Sequence, residues 1–577
     1  MNLGVPGLDM RWDNTLRYTA GLRLDKPDPL LANNQNYDET EAKFGRGDIT
    51  NSRFDLLSEF DGSYSLNGNR IGARVSGAGW YDPAYSDSVK FNPAITKPES
   101  APPDGVRYDT SYDGDRYSSY TRKYYMRGGE LLDAFVFANT QIARMPLGIK
   151  IGRFSQYWGE SLFSAGQSVS YGQQPIDGLK ASVSPGIETK EVFLPLTQIS
   201  LTLQPISDLA LSAQYFLEWK PMRLPQGGTF FGAADFLFQG PDRMPLAPSG
   251  TAAGLNMLPD CSATIMDNCH VPGTPAFSDS ARRLSANTPG NTGDYGISAR
   301  WSPEWAKGPI AMYYRYFDER SPWAGLNFPL QNTAVAVMSA VPGGVVGLPG
   351  AVQLVFPKNS RLYGMSYSTN IGQVSVGTEA TYRYHTALNN AFPSSTSGSS
   401  YGSNGEGPRG NLVTALANTI VLLPSTPLYN TGTITAEVAW SHLVAVTENK
   451  DNYSGVGYAG CNPTGHPGGA AGSRADGCST RDYVGAQINV EPQWLQVLPG
   501  LDLSMPLSYF DALSGNKQDN GDGFQGEQRW SAGVTGDLFQ KYKTTLSYSD
   551  SWAHHGAGQP YSMNDRGWLS LTFKTTF

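Results

Sequence analysis

Charge and long apolar runs are both scarce in this sequence of 577 residues. Only 16% of the residues are charged and the formal net charge is −8, whereas about 25% are charged in a typical soluble protein. The longest uncharged apolar stretch, residues 334–352, holds two prolines and four glycines, so it predicts no membrane-spanning helix. The acidic balance disfavours nucleic acid as a partner. These shortages argue against both a string of soluble domains and a helical membrane protein.

Aromatic residues and turn formers are abundant instead. Aromatics make up 12% of the chain, which also holds 65 glycines, 39 prolines and 31 tyrosines. A disordered chain would have few aromatics and a high net charge. Apolar residues interleaved with polar ones are typical of a transmembrane β-barrel, whose strands alternate lipid-facing and lumen-facing side chains. Residues 1–4 lack a basic region followed by an apolar run, so we expect a mature chain whose targeting segment has been removed.

Alternation is clearest at residues 8–24, where apolar side chains occupy most even positions and polar ones the odd positions. A period of two predicts a strand with one apolar face. The length favours a strand that crosses a bilayer, since soluble strands usually have about 5 or 6 residues. The pattern recurs at residues 209–219, 374–384 and 434–440. The chain ends on Phe577, and this last segment resembles the terminal strand recognised by the outer-membrane barrel assembly machinery.

Short connections alternate with long ones rich in Gly, Ser, Asn and Pro, as in bacterial outer-membrane barrels. The sequence therefore predicts an all-β fold, a single transmembrane antiparallel β-barrel over residues 1–577. We expect about 18 strands, within a range of about 16 to 20. An even number of strands places both termini in the periplasm, with short periplasmic turns and long extracellular loops. Residues 220–292 are predicted to form one such long extracellular loop.

Residues 156–196 follow a strand but lose the alternation and hold few long apolar side chains. We predict that they fold into the lumen and constrict it. Charged residues near this segment either form a salt-bridge network that holds the loop or line a polar filter for a permeant. The candidate lumen and constriction residues are Arg153, Trp158, Glu160, Glu218, Lys220, Glu379 and Arg383.

The apolar stretch at residues 334–352 falls in a predicted outer loop. An exposed apolar patch of this kind suggests contact with something hydrophobic. The stretch either packs as a short helix over the barrel mouth or forms a hydrophobic entry or exit surface. Its apolar residues are Val335, Val337, Met338, Val341, Val345, Val346 and Leu348.

The four cysteines fall in two local pairs, each inside a predicted long outer loop. In an oxidising compartment we expect two disulfides, and local pairing is the simplest connectivity. The expected pairs are Cys261 with Cys269 and Cys461 with Cys478. Although His270 and His466 lie near them, neither pair has Cys-x-x-Cys spacing, so we predict no metal site.

Three short motif matches predict no chemistry. Residues 398–402 satisfy the hydrolase nucleophile pattern, but they lie in a Gly/Ser-rich loop without a strand, turn and helix around them. Residues 405–410 match a dinucleotide fingerprint in letters only, since no helix can follow them. The acidic run from residue 109 lacks the glutamate that closes a calcium loop at its twelfth position. We therefore expect no enzyme activity and no cofactor.

Four motifs, ordered along the chain, resemble those of one known family. They are Gly-Arg with Trp-Gly-Glu-Ser at residues 152–161, Tyr with Glu-Trp at 215–219, Gly-Thr-Phe-Phe at 228–231, and residues 355–364. Together they resemble the proteobacterial outer-membrane family catalogued as domain of unknown function thirteen hundred and two (DUF1302), over nearly the whole chain. Residues 154–156 depart from the pattern, because relatives tend to have Gln followed by small apolar residues there.

The resemblance implies traffic of lipids or other hydrophobic molecules across the envelope, because members tend to be encoded near a periplasmic lipoprotein-like family and inner-membrane exporters. Our leading hypothesis is a monomeric outer-membrane conduit for a hydrophobic or amphiphilic solute. Its expected partners are outer-membrane lipids and lipopolysaccharide, a periplasmic lipoprotein-like protein and an inner-membrane exporter. One alternative is a specific porin for small polar or aromatic nutrients. Another is a non-conducting module that docks a periplasmic partner.

Overall fold

A computed structural model describes the chain at residues 5–34, 36–93, 110–187, 189–245, 280–323, 351–390, 406–461, 472–519, 523–554 and 559–577. Its main sheet closes on itself, because the first strand is hydrogen-bonded to both the second and the last. The sheet has 19 strand segments, of which two are halves of one strand interrupted at Met505 and Pro506. Proline has no N–H to donate to the ladder, which explains the interruption. The fold is therefore a closed antiparallel β-barrel of 18 strands, as predicted.

The strands are β1 (Leu8–Arg23), β2 (Ile49–Leu66), β3 (Asn69–Tyr81), β4 (Arg127–Ile142), β5 (Met145–Phe154), β6 (Leu196–Ile206), β7 (Leu209–Phe216), β8 (Tyr295–Trp301), β9 (Ile310–Phe317), β10 (Ser360–Ile371), β11 (Val374–Ala387), β12 (Arg409–Leu423), β13 (Thr431–Glu448), β14 (Asp482–Leu498), β15 (Leu501–Ser504 with Leu507–Ser514), β16 (Gln528–Leu538), β17 (Tyr542–Trp552) and β18 (Trp568–Thr576). Three short strands, Arg243–Pro245, Ser280–Arg283 and Ala351–Val352, form a small separate sheet.

Helices occur only between strands in the described part of the chain. The α-helices are α1 (Pro29–Ala32), α2 (Asp38–Lys43), α3 (Ser119–Tyr125), α4 (Gly178–Val183) and α5 (Thr189–Val192). The 3₁₀ turns are Asp113–Asp115, Ala165–Gln167, Glu304–Ala306, Lys450–Asn452, Arg474–Asp476 and Gln559–Met563. None of the helices among the described residues is long and apolar enough to cross a membrane.

The two faces of the barrel wall differ in polarity, as the period-two pattern predicts. On β2, Phe54 and Leu56 are exposed on the outer face, whereas Arg53 and Asp55 are buried on the inner face. Exposed aromatics form two bands on the outside, as membrane interfaces favour. The band near the short turns contains Trp12, Trp301, Trp305, Phe539 and Phe577. The band near the long connections contains Tyr81, Tyr215, Tyr295, Tyr384 and Trp552. The wall is that of a transmembrane barrel.

Both ends of the chain lie at the end of the barrel that carries the short turns. Leu8 pairs with Tyr64 beside the β2–β3 turn. The backbone N–H of Asn14 donates to the carbonyl of Phe577 at 2.9 Å. The long connections all leave the opposite end, so the lumen can be filled only from that side.

Some of the loop predictions lie outside the described residues. These are the apolar stretch from Val335 to Leu348 and the pair Cys261 with Cys269. The other predicted disulfide, Cys461 with Cys478, is present and closes a connection with a sequence separation of 17.

Candidate functional site

Residues 155–195, here the crossing segment, connect β5 to β6 and turn into the barrel. The facing strand ends, Phe154 and Leu196, are paired, so the segment leaves and returns at one place on the rim. One part of the segment contacts β11–β13 and another part contacts β1 and β2. In an 18-strand ring, β2 and β11 are half a circumference apart. The segment therefore reaches from one wall of the lumen to the other.

On one wall the segment is held by Glu379 of β11. One carboxylate oxygen accepts the backbone N–H groups of Glu160 and Ser161, the latter at 2.8 Å. The other oxygen accepts the backbone N–H of Val169 at 2.7 Å. Glu379 is buried, and hydrogen bonds to an ionised acceptor are stronger than neutral ones. One inward-facing carboxylate thus fixes two points of the segment.

Glu437 of β13 makes a second anchor of the same kind, which the sequence analysis did not select. One of its oxygens accepts the backbone N–H groups of Phe163 at 3.1 Å and Ser164 at 2.5 Å. The other accepts the N–H of Leu162 at 2.7 Å. In the sequence, Glu437 is recognisable as an acidic residue at a polar position of the alternating segment 434–440. Three consecutive amides therefore bind one buried carboxylate.

Arginines hold the next turn of the segment, at Tyr171 and Gly172. Arg315 of β9 donates to the carbonyl of Tyr171 at 2.5 Å, and Arg320 donates to the carbonyl of Gly172 at 3.4 Å. The guanidinium of Arg383, from β11, lies 4.1 Å from the ring centre of Tyr171. Arg383 is itself paired with Asp519 at 2.6 Å. These buried cations leave this turn little room to move.

Ion pairs hold the segment on the opposite wall. Glu191 lies 3.2 Å from Arg17 of β1 and 3.2 Å from Lys180 of α4. Lys190 lies 2.6 Å from Glu59 of β2. The segment is thus bonded to both sides of the barrel by charged side chains.

The seven predicted site residues fall in two places. Glu160, Glu379 and Arg383 lie at the anchors just described. Trp158 is buried beside them, with its ring centre 5.9 Å from that of Tyr313 and its backbone N–H donating to Gln173. The structure thus brings four of the seven together in the lumen.

The other three candidates, Arg153, Glu218 and Lys220, form a separate ion-pair cluster. Arg153 lies two residues from Ile151, whose side chain is exposed on the outer face, so alternation puts both side chains on that face. The next residue, Phe154, is buried on the inner face. Glu218 lies 4.0 Å from Arg153 and 2.6 Å from Lys220. These three charges therefore lie apart from the anchors of the crossing segment. Side chains one residue apart on a strand face opposite sides of the sheet, so the face of Arg153 depends on its exact register.

The lumen wall on the short-turn side of the segment is ionic and remains accessible. Arg74 of β3 pairs with Asp61 at 3.1 Å and with Asp133 at 3.1 Å, and it also contacts Glu59. The side chain of Asp61 is 40% exposed. Within the described ranges, no group of three or more His, Cys, Asp or Glu side chains has an arrangement that could hold a metal ion.

On the long-loop side of the segment lies a cavity of about 960 Å³, here the vestibule. Apolar residues line one side of it, namely Met222, Leu224, Phe231, Leu237, Phe238 and Leu354. The charged residues of its lining are Glu319, Arg320, Asp476, Lys517, Glu527 and Arg529. Gln174 of the crossing segment also lines it. The vestibule is thus amphiphilic, whereas the lumen beyond the segment is ionic.

Two buried carboxyl groups support the apolar side of the vestibule. The backbone N–H of Glu39, on α2, donates to Asp235 at 3.0 Å, and Glu39 accepts the backbone N–H of Ser111. Burial raises the pKa of Glu39 well above its usual range, and the neighbouring Asp235 raises it further. Burial likewise raises the pKa of Asp235. Deprotonation of either carboxyl group in the folded protein is therefore unfavourable.

Comparison with known sequences identifies a family. The sequence model of the DUF1302 family, described as proteins of unknown function, matches residues 2–577. No curated protein matches the chain.

Comparison with solved structures found several porins. A BenF-like porin from Pseudomonas fluorescens Pf-5 has 9% identity and a TM-score of 0.38, with 99% of this chain and 98% of that chain covered. OccAB3 from Acinetobacter baumannii has 10% identity and a TM-score of 0.40, with 99% of each chain covered. OpdK from Pseudomonas aeruginosa, solved with vanillate, has 8% identity and a TM-score of 0.38, with 99% and 98% covered. Similarities this distant carry no information about the solute.

Replacing Glu437 by Gln should loosen the crossing segment. The amide nitrogen of Gln cannot accept a hydrogen bond, so a buried backbone N–H among residues 162–164 loses its partner, at a cost of about 1–3 kcal/mol. We expect faster hydrogen exchange at these amides, measured by mass spectrometry, and a noisier current through the barrel in planar bilayers. Glu491→Gln is the matched control, since Glu491 lies on the inner face of neighbouring β14 and forms no hydrogen bond with the segment among the described residues. Equal hydrogen-exchange rates at residues 162–164 in Glu437→Gln and Glu491→Gln would contradict the anchoring role of Glu437.

Replacing Glu39 by Gln should remove a pH dependence from the vestibule wall. A carboxyl whose pKa is raised on folding stabilises the fold at low pH and loses this contribution as the pH rises through the raised pKa. We expect the excess of hydrogen exchange at residues 226–240 in the native protein over that in Glu39→Gln to grow as the pH rises above the ordinary pKa of a glutamate. Glu304→Gln, at the short-turn end, serves as the control. A constant ratio between the exchange rates of the native protein and of Glu39→Gln over the pH series would show that the pair does not titrate.

Proposed function

We propose that this chain, which belongs to the DUF1302 family, is a passive outer-membrane channel for small solutes, with the crossing segment as its constriction. A closed barrel with an exposed apolar outer face needs a bilayer around it. Short turns and both termini at one end, with long connections at the other, are the arrangement of bacterial outer-membrane barrels. We place the short-turn end in the periplasm and the vestibule outside the cell.

The observation that carries this proposal is that the crossing segment is bonded to both walls. Glu379 and Glu437 hold it on one side, while Arg17 and Glu59 hold it on the other. A loop held in this way narrows the lumen at a fixed height. A fixed, polar narrowing selects solutes by size and by the hydrogen bonds they make on passage.

A small solute able to form hydrogen bonds fits the lumen better than a lipid does. Any molecule that passes the segment meets the charges around Arg74, Asp61 and Asp133. An acyl chain cannot satisfy these groups and would remove water from them, which is costly. We therefore favour a substrate-specific porin over a lipid conduit.

A docking module without conductance is the competing proposal. It would use the barrel as an anchor and the periplasmic turns as a binding surface. The two proposals differ in one measurable property, since only a channel passes ions.

Replacing residues 155–195 by four Gly/Ser residues tests the channel and its constriction together. Because Phe154 and Leu196 are paired, a short turn can join β5 to β6 without disturbing the barrel wall. We expect single-channel conductance in planar bilayers to rise several-fold. Liposome swelling should show passage of larger sugars through the shortened variant than through the native protein.

Two results would count against the proposal. Equal conductance of native and shortened barrels would mean that the segment does not limit flow. No conductance in either, from barrels that remain heat-resistant in detergent, would favour the docking module.

A further inference from the structure

The vestibule has the size and the lining of a binding site. Its volume of about 960 Å³ lies at the upper end of the range for small-molecule sites, which is about 300–1,000 Å³. A mostly apolar lining with a few polar groups is also typical of such sites. A wide aqueous mouth would not need an apolar wall.

The apolar side is a built surface and not a chance exposure. Trp219, Phe236, Leu237, Leu354 and Phe356 pack into one buried cluster. Leu237 and Leu354 of this cluster reach the vestibule. The wall is therefore backed by a hydrophobic core that fixes its shape.

The charges of the lining do not select a charged ligand. Three acidic and three basic residues line the cavity. Most of them are already bonded, since Arg320 pairs with Asp294 at 2.6 Å and Lys517 pairs with Asp519 at 3.4 Å. Glu319 accepts hydrogen bonds from Ser360 at 2.8 Å. A ligand therefore finds little net charge to neutralise.

The crossing segment contributes an unused hydrogen-bonding group to the lining, the side chain of Gln174. Gln174 is only 6% exposed, and neither its amide nitrogen nor its amide oxygen has a hydrogen-bond partner among the described residues. The preceding residue, Gln173, has a partner at each of its two side-chain polar atoms, since it donates to Gln214 at 3.0 Å and accepts the N–H of Trp158 at 3.0 Å. A buried amide without partners is costly, and a ligand that bonds to it would recover that cost.

We propose that the vestibule binds an uncharged amphiphile, with its apolar body on the wall around Leu237 and Leu354 and its hydrogen-bonding end at Gln174. This inference rests on the proposed channel and names a class of ligand that binds in its vestibule. Because the apolar body would meet the charged groups beyond the segment, the amphiphile occupies the vestibule and blocks the current while it is bound.

Single-channel recording with three probes tests the proposal. The probes are octyl glucoside well below its micelle concentration, octyl sulfate and glucose, each present on both sides of the bilayer. We expect octyl glucoside to give resolved blockades that last longer than those of the other two. Blockades no longer than those of glucose would overturn the apolar site, and longer blockades by octyl sulfate would overturn the uncharged class.

The Gln174→Met variant locates the site. Methionine has a similar volume, and Gln174 has no hydrogen bond to lose, so the melting temperature should stay the same or rise. Loss of one neutral hydrogen bond should shorten octyl glucoside blockades about three- to tenfold. Gln173→Met is the matched control, since it breaks two bonds of the segment and should instead disturb the open current. An unchanged blockade time in Gln174→Met would place the binding elsewhere.

Saturation-transfer NMR on the protein in lipid nanodiscs gives a readout that needs no conductance. Transfer to octyl glucoside that weakens in Gln174→Met supports the site even if the barrel proves not to conduct. Equal transfer in both proteins would overturn the site while leaving the channel proposal intact.

Discussion

Closure of the sheet between β1 and β18 is the constraint on which the rest of the structure depends. In a bilayer the backbone N–H and C=O groups of a strand have no water to bond, so an open sheet edge is not tolerated. Pairing of Thr15 through Arg23 with β18 removes that edge. Once the ring is closed, alternate side chains must face lipid or lumen. The outer face is then mainly apolar, and most charged side chains of the wall lie on the inside.

The anchoring of the crossing segment follows from this division. An inward-facing carboxylate such as Glu437 lies in a site with little water, where an ionised acceptor without partners would be costly. The segment brings backbone N–H groups that also need partners, because residues 160–164 are in no helix or strand. The carboxylate supplies hydrogen-bond acceptors, and the segment supplies the N–H donors. The wall and the segment are therefore stabilised by the same hydrogen bonds, and neither is complete alone.

The sequence was informative about the wall and much less so about what the wall holds. Period two predicts each strand, and the strand count is correct because it depends only on repeated local patterns. Glu379 and Arg383 could be selected because charge on the polar side of a strand marks the lumen. The face of Arg153 depends on the exact register at a strand end, which the alternating pattern alone does not determine. Glu437 carries the same signal, but the sequence does not show which inward-facing carboxylates meet the segment, and the unused amide of Gln174 could be recognised only in three dimensions.

The position of the crossing segment depends little on which side chains it carries at its anchors. Glu379 and Glu437 bind main-chain N–H groups, so the side chains at residues 160–164 contribute little to where the segment lies. A substitution that keeps the backbone path leaves these anchors intact. By contrast, two residues that line the vestibule, Gln174 of the segment and Leu237, take no part in these anchors. The solute-facing surface of such a barrel can therefore change by substitution while the constriction stays where the wall places it.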